Sequence, residues 1–336
     1  MPGFVESCVA ERLNKLKDFD STQDLLGKQL VERGLCDPCR LFVKQEPHKA
    51  AKLTEGRVRL IASISIIDNI ICRMLCGLQN ETEINSWQDI PSKPGMGLTD
   101  ENLSDIDASV RAEMANGSLA EADISGWDFS MQGWDFEADL ERRTRLNKGR
   151  DTIWYRIAKA HFYCMQRKLF IISDGRMFEQ QRPGIMPSGW YNTSSTNSYV
   201  RNLTSYLVQS QASMPVSLYG IANGDDSIER YIPEGEAASL YASLGKICKM
   251  YNRIEEVFEF CSMRFEKRKL AVPVNIDKLL VNLFSQPRHD FKELEMHYEE
   301  FLENIRNMPT CETNELVELV KASGFLLRGE GSEPTD

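Results

Sequence analysis

The chain has 336 residues, 42% of them hydrophobic, enough apolar mass for one large domain or two average ones. Its 50 acidic and 40 basic residues leave a net charge of −10, which excludes a uniformly basic surface and confines any phosphate-binding role to a local basic segment. Nine cysteines, an odd number without repeated spacing, argue against a disulfide framework and fit reduced thiols.

In chain order, the first residues carry no basic segment followed by an apolar run, so no secretory leader is expected and a cytosolic site follows by default. Cys36-Asp37-Pro38-Cys39 would supply only half of a zinc site, because no second CxxC or paired His follows at finger spacing; small core thiols are expected. Lys44, Lys49, Lys52, Arg57 and Arg59 then concentrate positive charge, which on its own reads as a solvated face. The apolar run from Leu60 to Leu78 is broken by Asp68, Asn69 and Arg73, so a bilayer crossing would be costly and a buried helix over 60–80 is expected.

Glu121-Ala122-Asp123-Ile124, ahead of a Gly-Trp turn, predicts a short buried strand ending near Asp123. Helices are predicted from Phe136 to Arg145 or beyond, near 152–168, and, after a loop over 184–189, from Thr193 to Gln209. The segments 216–222 and 225–232 read as two strands around Asn223-Gly224, since Asn-Gly favours positive φ in hairpins; Asp225 and Asp226 then sit at the tip. A helix over 235–249 and a strand over 257–265 that begins another hairpin follow, then an acidic helical region and a tail over 329–336 with a disordered composition. No repeat or clear linker divides the chain.

Two aspartates at a turn are ordinarily a solvated hairpin. A strand-terminal third, Asp123, changes the reading, because carboxylates brought together repel unless a cation neutralises them. Hard oxygen ligands with open positions suit Mg²⁺, which keeps waters and binds substrate phosphates. Asn197 follows Thr193 by one helical turn and shares its face. Trp127 and Trp134, beside the strand, are expected in the core. A Ser-His hydrolase is disfavoured, with four histidines and no GxSxG elbow.

Asp123-Ile124-Ser125-Gly126-Trp127-Asp128, the run from Ser188-Gly189 through Thr193 to Asn197, and Gly224-Asp225-Asp226 resemble, in order and separation, motifs A, B and C of viral RNA-dependent RNA polymerases. Arg57-Val58-Arg59-Leu60-Ile61, with Lys44 and Lys52 before it, resembles the basic motif F, and Phe258-Glu259-Phe260-Cys261-Ser262 resembles the motif E primer grip. The phrases at 42–48 and 91–97 are most similar to sobemovirus and barnavirus-like polymerases, and the likeness covers residues 40–270.

The resemblance implies an α+β right-hand fold: a palm of antiparallel sheet plus helices, compact fingers and a helical thumb. Fingers, the basic segment and the first palm helix would occupy 1–120, the palm with part of the fingers 121–270, and a thumb-like region 271–328. It implies RNA-directed RNA synthesis for a positive-strand RNA virus in the host cytoplasm, with membrane-associated sites and other viral replication proteins as family associations. RNA template, nascent RNA and ribonucleoside triphosphates are the implied partners. Asp123 and Asp225 would share two Mg²⁺ ions, replaceable by Mn²⁺, with Asp226 a weaker or outer ligand because consecutive strand residues face opposite sides.

By the same resemblance Asp128, Ser188, Gly189, Thr193 and Asn197 would recognise the nucleotide and its ribose. Lys44, Lys52, Arg57 and Arg59 would hold triphosphate and template, and Phe260, Cys261 and Ser262 would grip the primer. Lys249, with Lys246 as rival, would donate the proton to the leaving pyrophosphate. The alternatives are a reverse transcriptase, which usually carries a bulky residue where Asp128 and Asn197 would select ribonucleotides, and a catalytically idle RNA-binding replicase subunit, against which the intact aspartates argue.

Overall fold

The computed structural model describes residues 2–46, 48, 50–147, 152–285 and 291–325; Lys49, the side chain of Lys52 and the 329–336 tail lie outside the described residues. The chain sorts into two compact units. The first comprises Met1–Lys44, Val58–Gly97 and Val110–Ile254, and the second Gln45–Arg57, Leu98–Ser109 and Glu255–Asp336.

The first unit opens with helices α1 (Pro2–Asp18) and α2 (Gly27–Glu32) and strand β1 (Cys39–Val43). After α3 (Ala50–Thr54), which belongs to the second unit, come β2 (Leu60–Ser63) and α4 (Ile66–Asn85). The single helix expected over 60–80 is therefore a strand followed by a helix. The break falls at Ser65, whose side chain accepts a hydrogen bond from Asp68 N and caps α4, a helix-start signal concealed by the apolar residues on both sides of it. Nor is α4 buried all round: Ile71, Cys72 and Cys76 are in the core, whereas Ile66, Met74 and Leu78 are exposed. Asp68 explains one break in the run, since it is buried and pairs with Arg12 at 2.6 Å.

Helix α5 (Asp100–Met114) crosses the division between the units. There follow β3 (Leu119–Ile124), the single turn α6 (Trp127–Ser130), α7 (Gly133–Leu146), α8 (Ile153–Met165), the short strands β4 (Leu169–Ile171) and β5 (Met177–Glu179), and α9 (Thr193–Ser210). The unit closes with β6 (Gly220–Asn223), β7 (Asp226–Arg230), α10 (Glu234–Ser243) and β8 (Cys248–Arg253). The helix expected over 235–249 thus ends at Ser243, and Lys249 lies on a strand. Gly245, at a φ of +73° that glycine adopts without strain, turns the chain between them.

One four-stranded sheet runs β2-β1-β4-β5, and the other β6-β7-β3-β8, with antiparallel neighbours throughout the latter. Helix α9 packs on β6 and β7, and α10 on β8. Arg201 of α9 is wholly buried; it reaches Glu229 of β7 (3.3 Å) and the Tyr241 hydroxyl of α10 (2.9 Å), joining the layers behind the sheet. Removing one partner of such a buried pair would strand a charge and cost about 3–5 kcal/mol. Trp127 is in the core, between the cations of Arg201 and Lys246, and Trp134 is half-buried. Cys36 and Cys39 are buried thiols, and burial pushes Cys39 up to about 12.

In the second unit β9 (Val257–Phe260), β10 (Met263–Glu266) and β11 (Val272–Pro273) form an antiparallel sheet. The strand expected over 257–265 is itself a hairpin, turned at Cys261 and Ser262, both at positive φ (53° and 60°), with Phe258 and Phe265 stacked at 4.6 Å. Helices α11 (Ile276–Phe284), α12 (Phe291–Ile305) and α13 (Thr310–Ala322) enclose a small core that includes Leu283, Leu294, Phe301 and Val320. Among the described residues no helix is long and apolar enough to cross a membrane.

Candidate active site

The aspartates meet at one end of the β6-β7-β3-β8 sheet. β6 and β7 pair Asn223 with Asp226, so Gly224 and Asp225 form a two-residue tip. The turn is one residue later than the Asn-Gly pair suggested. Gly224 takes the positive φ (64°) while Asp225 does not, the pattern of a type II′ turn with glycine first. β3 pairs Ala122 with Ser227, so continuing that register by one residue sets Asp123 across from Asp226. Asp225 and Asp226 are exposed and Asp123 half-buried.

A β-bulge aims the last member. Asp123 pairs with Met250 and Ile124 with Cys248, which leaves Lys249 as the extra residue on β8. A bulge redirects a side chain, and the Lys249 ammonium forms an ion pair with Asp123 Oδ2. Lys246, by contrast, is buried: its ammonium meets Asp135 at 2.7 Å and Ser130 O at 3.0 Å, a structural strut and not an available acid. Among the described residues no three His, Cys, Asp or Glu side chains form a ready ligand cluster, Asp123 being turned toward Lys249. The donor chemistry nevertheless suits a hard divalent ion: carboxylates at adjacent strand ends, one of them already drawn to a cation.

Beside this tip lies Asp128, presented by the one-turn α6 after the left-handed Gly126 (φ 57°). Asn197 of α9 donates from Nδ2 to Asp128 Oδ1 at 2.9 Å, while its own Oδ1 is buried without a hydrogen-bond partner. Burial raises the Asp128 pKa and the Asp225 charge adds to this, whereas the Asn197 bond and Arg59 oppose it. The loop before α9 is held by its own bonds. Ser188 Oγ accepts from Ala62 N (3.0 Å), Gly189 N donates to Ala62 O (2.9 Å), and the Thr193 hydroxyl lies 2.7 Å from Pro187 O. Thr193 therefore closes the loop, and Asn197 alone of that pair is bonded to Asp128.

Sequence reading missed what fixes α9. Asp139 of α7 is wholly buried and accepts from Arg142 Nη2 (2.7 Å), Arg143 Nε (2.9 Å) and Thr196 Oγ1 (2.7 Å). Burial alone would raise its pKa, but Arg143 and Arg142 outweigh it and lower the value to about 2. Arg143 also binds Ser195 Oγ (2.8 Å) and Asn80 Oδ1 (2.9 Å), and Ser195 donates to Glu83. Asp139 and Arg143, four apart on one helix face, were the only local signal of this network.

Of the basic candidates, Arg59 stands next to β2 in the first unit, and its carbonyl accepts from Lys44 N at 2.8 Å. Arg57 is in the second unit, ion-paired with Glu55. Phe260 is buried there, with Cys261 and Ser262 at the hairpin turn.

Residues 4–271 match the family described as viral RNA-directed RNA-polymerase. An RNA-directed RNA polymerase of Mushroom bacilliform virus is 35% identical over 324 residues, covering 94% of this chain and 76% of that protein. The replicase polyprotein P2AB of Southern cowpea mosaic virus is 43% identical over 300 residues, covering 87% of this chain; the match spans only 30% of the polyprotein's length. Among solved structures, the insertion-loop deletion mutant of the RNA-dependent RNA polymerase of a human picorbirnavirus superimposes with a TM-score of 0.68 at 13% identity, over 97% of this chain and 71% of that one. The fold is thus the α+β fold of a viral polymerase. The chain belongs to the viral RNA-directed RNA polymerase family, among whose members sobemovirus and barnavirus proteins are similar to it, as the phrases at 42–48 and 91–97 had suggested.

Proposed function

We propose that this chain performs template-directed RNA synthesis for a positive-strand RNA virus, joining ribonucleotides by two-metal nucleotidyl transfer. The observation that carries the reading is the Asn197–Asp128 bond beside Asp225: a part-buried pair with one acceptor, Asn197 Oδ1, buried and still unpartnered, set next to the carboxylates proposed to hold metal. A site that hydrogen-bonds a 2′-hydroxyl tells RNA from DNA.

Asp123 and Asp225 would hold two Mg²⁺ ions, with Asp226 as the outer ligand, and Mn²⁺ could replace them. Bound there, such ions make an attacking 3′-hydroxyl more acidic and neutralise a triphosphate. Asp128 and Asn197 bind the ribose, and Ser188 and Gly189 shape its edge with Thr193 bracing their loop. Lys44, Lys52, Arg57 and Arg59 neutralise triphosphate and template phosphates, for which guanidinium forks are suited. Lys249 is the proposed proton donor to pyrophosphate. Phe260, Cys261 and Ser262 hold the primer strand. Fingers are assigned to 1–120, palm to 121–270 and a thumb-like region to 271–328.

The test is incorporation of labelled ribonucleotides on a polyribonucleotide template with and without Mg²⁺. Metal-dependent product is expected. RNA binding without incorporation by the intact chain, under any divalent ion, would leave the idle-subunit alternative.

A further inference from the structure

We infer that Asn69 is a positioning residue for nucleotide selection: it clamps the Ser188–Gly189 loop to the segment that carries Arg59. The inference rests on the ribose-binding role proposed for that loop and for Asn197.

Asn69 lies in the first turn of α4, its own N–H bonded to Ser65 O at 3.0 Å. Its carboxamide, which also donates from Nδ2 to Ile64 O at 3.4 Å, grips the loop at two points. Nδ2 donates to Gly189 O (3.1 Å) and Oδ1 accepts from Tyr191 N (2.8 Å). A carboxamide presents one donor and one acceptor side by side, as a peptide group does, so it pairs with the loop backbone as a neighbouring strand would. Seven residues earlier the same run holds the other edge, Ala62 N to Ser188 Oγ and Gly189 N to Ala62 O.

The loop is therefore bonded along both edges to one stretch of chain, residues 62–69, that continues β2. Arg59 directly precedes β2. Contact is close as well as bonded, since a Cβ at Gly189 would stand 3.1 Å from both Ala62 O and Ser63 Cα. Asn69 is half-buried, so its side chain is not needed to fill the core. It is not itself among the residues assigned to nucleotide but bonds to one of them, Gly189, and it is one of the polar residues that interrupted the apolar run without a structural reason until this contact is seen.

A misplaced loop should weaken substrate use strongly, because misplacement by about 1 Å can cost about 100-fold. We expect Asn69→Ala to lower kcat/KM for ribonucleotides by about ten- to 100-fold, chiefly through KM, and to reduce ribose-over-deoxyribose preference in parallel. Asn69→Asp, which keeps the acceptor for Tyr191 N but sets a carboxylate oxygen against Gly189 O, should behave like Asn69→Ala. Gly189→Ala disturbs the loop's other edge, against Ala62 and Ser63, so if both edges hold one loop the double variant with Asn69→Ala should be less than additive.

The measurements are steady-state kinetics with ribo- and deoxynucleotides, normalised to competent enzyme counted as stalled elongation complexes, and thermal unfolding. If normalised KM and sugar preference match the unsubstituted chain, or if only the competent fraction falls, Asn69 is merely structural and the inference is overturned. An unsubstituted chain that incorporates nothing would instead overturn the functional reading, and this inference with it.

Discussion

Replacing Asn197 with Ala removes both the donor to Asp128 and the unpartnered acceptor beside it. A hydrogen bond involving a charged group contributes about 1.5–3 kcal/mol, which corresponds to about ten- to 150-fold in kcat/KM. That loss should fall on ribonucleotides and largely spare deoxynucleotides, which lack the oxygen concerned, so the preference for ribose relaxes by a similar factor. The pH profile gives a second readout. Asp128 has a raised pKa because of burial and the Asp225 charge, while the Asn197 bond favours its ionised form. Ionised Asp128 is the acceptor, so ribonucleotide incorporation should fail as pH drops through that raised pKa. Without Asn197 the acid limb should move to higher pH. The assay is single-nucleotide extension with paired ribo- and deoxynucleotides across pH, with Asp128→Ala added to test for a less than additive effect. Equal losses for both sugars with an unmoved acid limb would refute the shared network.

Three further outcomes are expected. Asp225→Ala should abolish synthesis and leave circular dichroism unchanged, because the carboxylate is exposed at a turn and contributes nothing to the core. RNA affinity should fall steeply with salt despite the acidic total, and Arg59→Ala should reduce the slope of the log–log plot by about one; an unaltered slope would make the basic segment a solvated face. Asp139→Ala should destabilise the first unit by about 3–5 kcal/mol, since it leaves Arg143 buried without its carboxylate. Urea denaturation followed by tryptophan fluorescence checks this, because all five tryptophans lie in that unit.

What the sequence made legible is what is contiguous. Asp123 lies one residue from the end of a strand, Asp225 and Asp226 follow a glycine at a hairpin turn, and Asn197 follows Thr193 by one helical turn; each relation is local and survives folding. Errors arose where two local signals competed. The apolar residues from Leu60 onward fit helix and strand alike, and only the Ser65 cap separates β2 from α4. Asn-Gly suggested a turn one residue early, because cross-strand pairing of Asn223 with Asp226, a tertiary matter, decided the register. Beyond the four-residue spacing of Asp139 and Arg143, the supports of the site were not legible. Asp139, Thr196, Arg143, Asn80 and Glu83 come from three helices, and no spacing links Asn69 to a loop 120 residues away.

Lys249 and Lys246 illustrate how small a shift separates an exposed group from a buried strut. Three residues apart, they looked equivalent while the segment was read as helix, where i and i+3 share a face. As the chain actually runs, Lys246 precedes β8 and is buried against Asp135, whose carboxylate and the Ser130 carbonyl take its donors. Lys249 is the unpaired residue of the bulge and lies 65% exposed against Asp123. An exposed ion pair of that kind is worth about 0–1 kcal/mol, so Asp123 keeps Lys249 close without committing it. In the proton-donor role proposed for Lys249, the bulge would present its ammonium beside Asp123, from which it can part at little cost.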